Sequence, residues 1–206
     1  MLNDMKVADF LSELASNSPA PGGGSVAALA GALSGSLVSM VGRLSGKCEE
    51  AQKQIKEIIK ISDQLVEELK ELIEKDTQAF NQVMAAFKMP KGTDEEKAAR
   101  SRAIQKGMKE AALVPLKVME KAVKVMELAR EIAEVGNQNA ITDAGVAGLM
   151  GYAAVKGAAY NVQINLLSIK DEDFKREKAD RVSEILIKAK NLSMEIENTV
   201  EKALGV

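Results

Sequence analysis

The sequence predicts a single all-α domain, residues 1–206, in which a bundle of long amphipathic helices surrounds two low-charge central helices. Apolar residues recur at steps of three and four along nearly the whole chain, and no convincing alternating strand pattern occurs. Two stretches depart from this two-faced pattern, since residues 26–42 carry no charge and residues 144–168 carry only Lys156. Helices that are apolar or small on all sides are typical of the centre of a bundle.

The first predicted helix is short and precedes a turn rich in proline and glycine. Its apolar face consists of Val7, Phe10, Leu11 and Leu14. Residues 19–25, Pro-Ala-Pro-Gly-Gly-Gly-Ser, form the turn, and the first low-charge helix follows to about Ser45. Small residues at a spacing of four, Ala27, Gly31 and Gly35, allow the axis of this helix to approach another helix closely. In the second low-charge helix, Gly148 is a small residue of the same kind.

Four more helices complete the bundle. A long amphipathic helix is predicted from about Cys48 to Met89, where Pro90 stops it, with an apolar stripe that ends in Phe80, Val83, Met84 and Phe87. Thr93 and Glu96 form a capping box for a helix to about Val135, which Pro115 should bend or divide and Gly136 should end. The second low-charge helix, Ala144 to about Ser168, is expected to have Thr142 or Asp143 as its cap, and an amphipathic helix follows residues 171–173.

The composition excludes several classes of function. A net charge of −2, only 3% aromatic residues and no tryptophan argue against nucleic acid or an anionic membrane as a partner. The absence of histidine removes the usual general base and the His ligands of catalytic zinc, so no metal is expected. The single cysteine, Cys48, allows no intrachain disulfide and fits an intracellular setting, but nothing indicates more than an inert thiol. We expect a cytoplasmic protein, because no signal peptide is visible and serine, asparagine, glycine and proline interrupt the uncharged stretch from Ala15 to Gly42.

The glycine turn is the best candidate for a binding surface made of backbone. Glycine lets a ligand approach the main chain, and the start of a helix offers free N–H groups, so Gly23, Gly24 and Ser25 are candidate binding residues. The alternative is a flexible loop that leads into a tightly packed helix. The chain has no P-loop lysine after the glycines, which argues against a phosphate site.

Asp76 is the candidate catalytic residue. The apolar stripe of the long helix passes through Leu69, Leu72 and Ile73 and continues at Phe80, and Asp76 occupies the position between. A carboxylate on a core face is costly unless it has a partner or a task, and loss of hydration would raise its pKa into a range useful for proton transfer. The alternative is that Asp76 reaches the edge of the bundle or pairs with a lysine.

Two groups of polar residues could bind a ligand with several hydrogen-bonding edges. Asn137, Asn139 and Asp143 precede or begin the second low-charge helix, where capping is the structural alternative. Asn161 and Asn165 lie four residues apart on one face of that helix, and a hydrogen-bond network between helices explains them equally well.

Four segments in order resemble the cyclodeaminase domain of formiminotransferase-cyclodeaminase and its stand-alone bacterial relatives, which include methenyltetrahydrofolate cyclohydrolases. They are residues 19–28, residues 76–80, residues 136–139 with Asp143, and residues 161–166. The resemblance covers nearly the whole chain. This chain has Thr142 where the family pattern has serine before the aspartate, and the hydroxyl is retained.

The resemblance implies an all-helical homodimer that binds a reduced folate between its helices. It implies closure of 5-formiminotetrahydrofolate to 5,10-methenyltetrahydrofolate with release of ammonia. The first alternative is the cyclohydrolase reaction, which interconverts the 5,10-methenyl and 10-formyl forms. The second alternative is a non-catalytic folate-binding module. Asp76 would transfer the proton and Asp143 would pair with the pterin edge. The other binding positions are Gly23, Gly24, Ser25, Asn137, Asn139, Asn161 and Asn165. Arg43 and Lys47 could meet the glutamate tail, although surface cations are abundant.

Overall fold

The computed structural model describes residues 1–45 and 49–206 and contains six α-helices in this part of the chain. They are α1 (Val7–Leu14), α2 (Gly23–Leu44), α3 (Glu49–Phe87), α4 (Asp94–Val135), α5 (Ile141–Leu166) and α6 (Glu172–Leu204). Two 3₁₀ turns, Leu2–Asp4 and Gln138–Ala140, precede α1 and α5. The described residues contain no strand, so the all-α prediction is confirmed. Lys47 and Cys48 lie outside the described residues.

The two low-charge helices, α2 and α5, lie side by side and run antiparallel. Gly23 at the start of α2 is near Asn161 late in α5, while the carbonyl of Leu44 at the end of α2 accepts a hydrogen bond from Asn137, shortly before α5. Helix α3 packs on the far side of α2, α6 packs on the far side of α5, and α4 contacts both central helices. This arrangement puts the start of α2 and the start of α5 at opposite ends of the molecule.

Glycines let the central helices approach their neighbours, as the spacing of small residues predicted. A Cβ atom at Gly35 would lie 2.7 Å from Cγ2 of Val66 in α3, and one at Gly148 would lie 2.8 Å from Cγ2 of Ile196 in α6. Real Cβ contacts are longer than this, so a side chain at either position would force the helices apart.

Pro115 lies within the continuous helix α4. Of the two predicted outcomes, a bend in the helix or its division in two, the division is wrong. Proline has no N–H to donate to the carbonyl four residues earlier, which leaves the Ala111 oxygen without its helical partner. The side-chain amide of Asn165 in α5 donates to that oxygen at 2.9 Å. A half-buried carbonyl that lost its helical bond is therefore satisfied from the neighbouring helix.

The helix ends follow the predicted caps only in part. Thr93 and Glu96 form the predicted capping box of α4. The carboxylate of Asp171, for which no cap was predicted, accepts from the N–H of Phe174 and caps α6. The expectation that Thr142 or Asp143 caps α5 is wrong, because both lie within its first turn and Ala140 is the N-cap residue. Gly136 ends α4 with extended backbone rather than a left-handed conformation, and the close approach of the Ile132 carbonyl oxygen, 2.4 Å from a Cβ built there, explains the glycine.

The central helices are not enclosed on all sides within one chain, in contrast to the expected buried pair. One side of α2 and α5 packs on α3, α4 and α6, whereas the outward side leaves large apolar residues exposed: Val26, Leu33 and Leu44 in α2, and Val146, Leu149, Tyr160 and Ile164 in α5. By length and composition α2 could also cross a membrane, and 61% of its most apolar window is buried against the rest of the chain.

Candidate functional site

A pocket of about 420 Å³ opens between the start of α2, the second half of α3, the middle of α4 and the end of α5. This volume lies within the range that small-molecule sites occupy. One part of its wall is polar and contains Gly23, Gly24, Asp76, Thr77, Asn161 and Asn165. The other part is apolar and contains Phe80, Val83, Met84, Phe87, Met108 and Ile164.

The carboxylate of Asp76 lies directly against the first turn of α2. The hydroxyl of Ser25 is 3.1 Å from Oδ2 of Asp76 and also 3.1 Å from the carbonyl oxygen of Ile73, so its single proton is shared between two acceptors. A Cβ atom at Gly24 would lie 2.0 Å from Oδ1 of Asp76, so a side chain there is incompatible with this position of the carboxylate. Glycine at position 24 therefore lets a carboxylate reach the positive end of a 22-residue helix.

Burial raises the pKa of the Asp76 carboxyl above its ordinary value, and hydrogen bonding from Ser25 partly offsets that rise. No lysine or arginine forms an ion pair with Asp76 among the described residues. The pKa shift has the direction expected for a carboxylate on a core face, and no lysine partner is found among the described residues, but Asp76 is only half-buried and lies on the pocket wall. A carboxylate whose pKa is raised is a stronger base than an ordinary aspartate, so Asp76 can accept a proton and return it.

The apolar stripe of α3 divides after Asp76. Leu69, Leu72 and Ile73 before it are buried; after it Val83 is still buried, whereas Phe80, Met84 and Phe87 are 36%, 39% and 42% exposed and line the pocket. Sequence periodicity assigned both parts to one core face, because it cannot tell a residue that faces a protein interior from one that faces a cavity. Thr77 and Met108 are pocket residues that sequence reasoning missed, and the position of Thr77 directly after Asp76 was the available signal.

Ser25 differs from the other predicted binding residues of the turn. It is fully buried and is not part of the pocket wall, so it acts on the site through its bond to Asp76. Gly23 and Gly24 do line the pocket, as the sequence predicted for this backbone.

Asn161 and Asn165 belong to the same pocket, and their amide groups are held by backbone carbonyls. Nδ2 of Asn161 donates to the carbonyl of Gly157 at 2.8 Å, and Nδ2 of Asn165 donates to the carbonyls of Ala111 and Asn161. These bonds use the donor side of each amide, which leaves the carbonyl oxygens as acceptors for a ligand. The two asparagines therefore take part in hydrogen bonds within and between helices and also line the pocket, so the two interpretations do not exclude each other.

Asn137, Asn139 and Asp143 lie at the other end of the molecule. Asn137 donates to the carbonyl of Leu44 and accepts from the N–H of Asn139, so it fastens the end of α2 to the start of α5. The 22 residues of α2 separate this cluster from Gly24 by about 30 Å. A single chain does not bring the two predicted groups of binding residues together.

Arg43, a candidate for the glutamate tail, lies at that same distant end. It forms an ion pair with Asp63 at 2.6 Å, and Asp63 also accepts from Ser39. Its charge is therefore already partnered within α2 and α3, and it is remote from Asp76 of its own chain.

A second, larger groove of about 590 Å³ lies between α3, α4 and α6, but its chemistry does not indicate a small-molecule site. Its walls are mainly charged, and these charges pair with one another, as Lys188 does with Glu127 and Arg130 with Glu195. Across the described part of the chain, no group of three or more histidine, cysteine, aspartate or glutamate side chains could hold a metal ion.

Residues 6–184 match the family model described as formiminotransferase-cyclodeaminase. The match spans both ends of the central helices and the whole pocket. The chain belongs to the formiminotransferase-cyclodeaminase family. The resemblance carried by the four sequence segments is thereby confirmed, and the chain is a member of a family of enzymes.

Relatives within the formiminotransferase-cyclodeaminase family are of two kinds. Methenyltetrahydrofolate cyclohydrolase of Methylorubrum extorquens is 40% identical, and the alignment covers 100% of both chains. Formimidoyltransferase-cyclodeaminases of rat and chicken are 35% and 38% identical over 92% and 94% of this chain. The chain spans 36% of the length of these two animal proteins.

The fold agrees with a solved member of the family. The crystal structure of formiminotetrahydrofolate cyclodeaminase from Thermotoga maritima has a TM-score of 0.89 and 26% identity, with 99% of this chain and 100% of that chain covered. The helical architecture described above is therefore that of the formiminotransferase-cyclodeaminase family.

Proposed function

We propose that the protein is a folate one-carbon enzyme that makes or opens the five-membered ring of 5,10-methenyltetrahydrofolate. The observation that carries the proposal is the half-buried carboxylate of Asp76, held at the start of α2 on the wall of a pocket with one polar and one apolar side. The apolar side, with Phe80, Met84 and Phe87, suits an aromatic ring, and the polar side offers acceptors for a heterocycle with several N–H edges.

The leading reaction is hydrolysis of the methenyl form to 10-formyltetrahydrofolate. The relative that favours it is the cyclohydrolase of Methylorubrum extorquens, which matches this chain from end to end. From sequence alone the cyclodeaminase reaction stood first, and this full-length relative reverses that order.

In this reaction the Asp76 carboxylate would remove a proton from water as the water oxygen attacks the methenyl carbon. The neutral tetrahedral intermediate then loses its bond between that carbon and N5, and Asp76 returns the proton to N5. The hydroxyl of the intermediate becomes the formyl oxygen and releases its proton to solvent, so one proton is produced for each ring opened. The negative carboxylate also stabilises the cationic methenyl form in the pocket.

The second candidate is the cyclodeaminase reaction, which the cyclodeaminase of Thermotoga maritima favours through its matching fold. N10 of protonated 5-formiminotetrahydrofolate would attack the formimino carbon, and Asp76 would carry the N10 proton to the departing amino group. Ammonia leaves and the methenyl cation remains. Both reactions require one proton carrier next to the same carbon, so one site can support either.

We further propose a cytoplasmic homodimer as the working form. The dimer is supported by the open apolar side of α2 and α5, which is too large to be left in water without a partner.

The test is to incubate the purified protein separately with 5,10-methenyltetrahydrofolate and with 5-formiminotetrahydrofolate and to follow the methenyl chromophore. Loss of the chromophore above the buffer rate supports the cyclohydrolase, and its appearance from the formimino substrate supports the cyclodeaminase. Asp76→Asn is expected to lower the rate by about 10²–10⁴-fold with folding preserved.

Glu71→Gln is the matched control, because Glu71 is an exposed carboxylate on the same helix that pairs only with Lys75. It should retain the wild-type rate. A wild-type protein that binds a reduced folate but changes neither substrate would establish the third possibility, a non-catalytic folate-binding module.

A further inference from the structure

Pro115 lies next to the candidate pocket but outside its wall. Its side chain is fully buried, whereas the residues that α4 contributes to the wall are Met108 and Ala111, about two turns and one turn earlier. Proline cannot donate to the carbonyl four residues earlier, and its ring crowds that oxygen within the helix. The Ala111 oxygen is therefore available to a donor from another helix.

The donor that uses this oxygen is the side-chain amide of Asn165, which lies on the pocket wall. Nδ2 of Asn165 donates to the carbonyl oxygen of Ala111 at 2.9 Å and to the carbonyl oxygen of Asn161 at 2.8 Å. An amide NH₂ group has two protons, so both are used. A flipped amide would put Oδ1 against two carbonyl oxygens, which makes that orientation unfavourable. The two carbonyls together therefore leave Oδ1 of Asn165 as the acceptor for a ligand.

Asn161 is a natural comparison, because it lies one turn earlier on the same wall without a partner from α4. Among the described residues its Nδ2 donates once, to the carbonyl oxygen of Gly157 in its own helix at 2.8 Å. The terminal torsion of an asparagine is broad, so one bond restricts the amide less than two do. The second bond of Asn165 exists because Pro115 leaves the Ala111 oxygen without a helical partner.

We propose that Pro115 is a positioning residue for the folate: through the Ala111 carbonyl it fixes the Asn165 amide so that Oδ1 accepts an N–H of the reduced pterin. This inference rests on the proposed function, from which it takes the class of ligand. An amide that is already oriented loses no further freedom when the ligand binds, and this strengthens binding. Proton transfer by Asp76 does not involve this amide, so the effect of Pro115 falls on the dissociation constant and KM rather than on kcat.

The first test is the binding of tetrahydrofolate to Pro115→Ala, measured by calorimetric titration without oxygen. The new N–H of residue 115 bonds to the Ala111 oxygen within α4 and draws it away from Asn165. The dissociation constant should rise about 3–10-fold, which corresponds to one weakened hydrogen bond. In the methenyl assay KM should rise by the same factor, while kcat should stay within about two-fold of the wild-type value. Circular dichroism verifies the fold, which alanine, a strong helix former, should preserve.

A double-mutant cycle distinguishes positioning of Asn165 from a general loosening of the pocket. Asn165→Ala alone should weaken tetrahydrofolate binding about 10-fold, and adding Pro115→Ala should weaken it no further, because the amide to be oriented is already absent. In the matched cycle with Asn161→Ala, the two effects should multiply. A Pro115→Ala protein with the wild-type dissociation constant would overturn the proposal, as would the same loss from Pro115→Ala in the Asn165→Ala background as in the wild type.

A measurement without folate separates this inference from the proposed function. In ¹⁵N-labelled protein, the side-chain amide signals of Asn165 are assigned by their absence from the Asn165→Ala spectrum, and their exchange with water is measured by magnetisation transfer. Pro115→Ala should speed this exchange by about 5-fold and leave that of the Asn161 amide unchanged. Equal exchange of the Asn165 amide in both proteins would disprove the positioning role. A wild-type protein that binds no reduced folate refutes the proposed function instead, and the exchange rates still decide whether Pro115 orients Asn165.

Discussion

Replacement of Gly24 by alanine should abolish activity while leaving the fold intact. The added Cβ atom would lie 2.0 Å from Oδ1, 2.5 Å from Cγ and 2.7 Å from Oδ2 of Asp76. Separations this short do not occur between real Cβ atoms and their neighbours, so the carboxylate has to leave its position. Asp76 lies in the middle of the 39-residue helix α3, whose backbone is held on both sides, and the displacement therefore falls on the side chain.

The expected change in stability is small because two effects oppose each other. Alanine stabilises a helix relative to glycine by roughly 0.5–1 kcal/mol. Loss of the hydrogen bond between Ser25 and Asp76 costs about 0.5–1.5 kcal/mol. The free energy of unfolding should thus remain within about 1 kcal/mol of the wild-type value, as measured by urea unfolding.

The expected change in rate is large because the proton carrier is displaced. Removal of a general acid or base typically costs about 10²–10⁴-fold, and the methenyl assay should show a loss in this range. Gly157→Ala is the control, because Gly157 does not line the pocket. A Cβ at Gly157 would lie 3.5 Å from the Cβ of Ala27, an ordinary contact, so this variant should retain activity. Equal losses in both variants, or an active Gly24→Ala protein, would refute the reasoning.

Three further predictions concern the pH dependence and the packing of the fold. Because burial raises the folded-state pKa of Asp76, the native state binds this proton more tightly than the unfolded chain, and stability falls as pH rises from the unfolded aspartate pKa through the raised one. The melting temperature of Asp76→Asn minus that of the wild type should therefore increase between about pH 4 and pH 8, and a decrease would contradict the shift. Asn165→Ala should lower the free energy of unfolding in urea by about 1–3 kcal/mol, because it leaves the Ala111 carbonyl without its hydrogen bond. In a Pro115→Ala background the loss should be clearly smaller, since the restored N–H of residue 115 can donate to that oxygen. Equal losses in both backgrounds would disprove the link. Gly35→Ala should cost about 1–3 kcal/mol because its Cβ meets the stiff Val66 side chain at 2.7 Å, whereas Gly157→Ala, at 3.5 Å from Ala27, should be neutral or stabilising by the same measurement.

Much of the fold could be predicted because it depends on local patterns. The capping box at Thr93, the spacing of Gly31 and Gly35 and the apolar periodicity of α3 involve residues that are close in sequence. The start of α5 near Thr142 and the continuation of α4 through Pro115 were predicted less well. At Pro115 the helix depends on a hydrogen bond from another segment of the chain. The Ala111 carbonyl that Pro115 leaves unbonded is satisfied by Asn165, 54 residues further along the chain, and no local rule anticipates such a bond.

The sequence indicated candidate site residues but did not show which of them lie together in one pocket. Asp76 stood out as a charged residue on an apolar stripe, and the glycine turn stood out by composition. Asn161 and Asn165 were proposed together with Asn137, Asn139 and Asp143, and the structure separates the two groups by the length of α2. Their separation depends on the antiparallel packing of α2 and α5, which no local sequence pattern encodes.

The sequence by itself determined the all-helical class, the two low-charge helices and the family of enzymes, because hydrophobic periodicity and ordered motifs are properties of the chain alone. Only the tertiary structure decided what the glycine turn is for. Packing of α3 against the start of α2 brings Asp76 to Gly24, where the absence of a side chain leaves room for its carboxylate. The antiparallel pairing of α2 and α5 then decides which polar residues share a pocket, since it sets the start of one helix beside the end of the other.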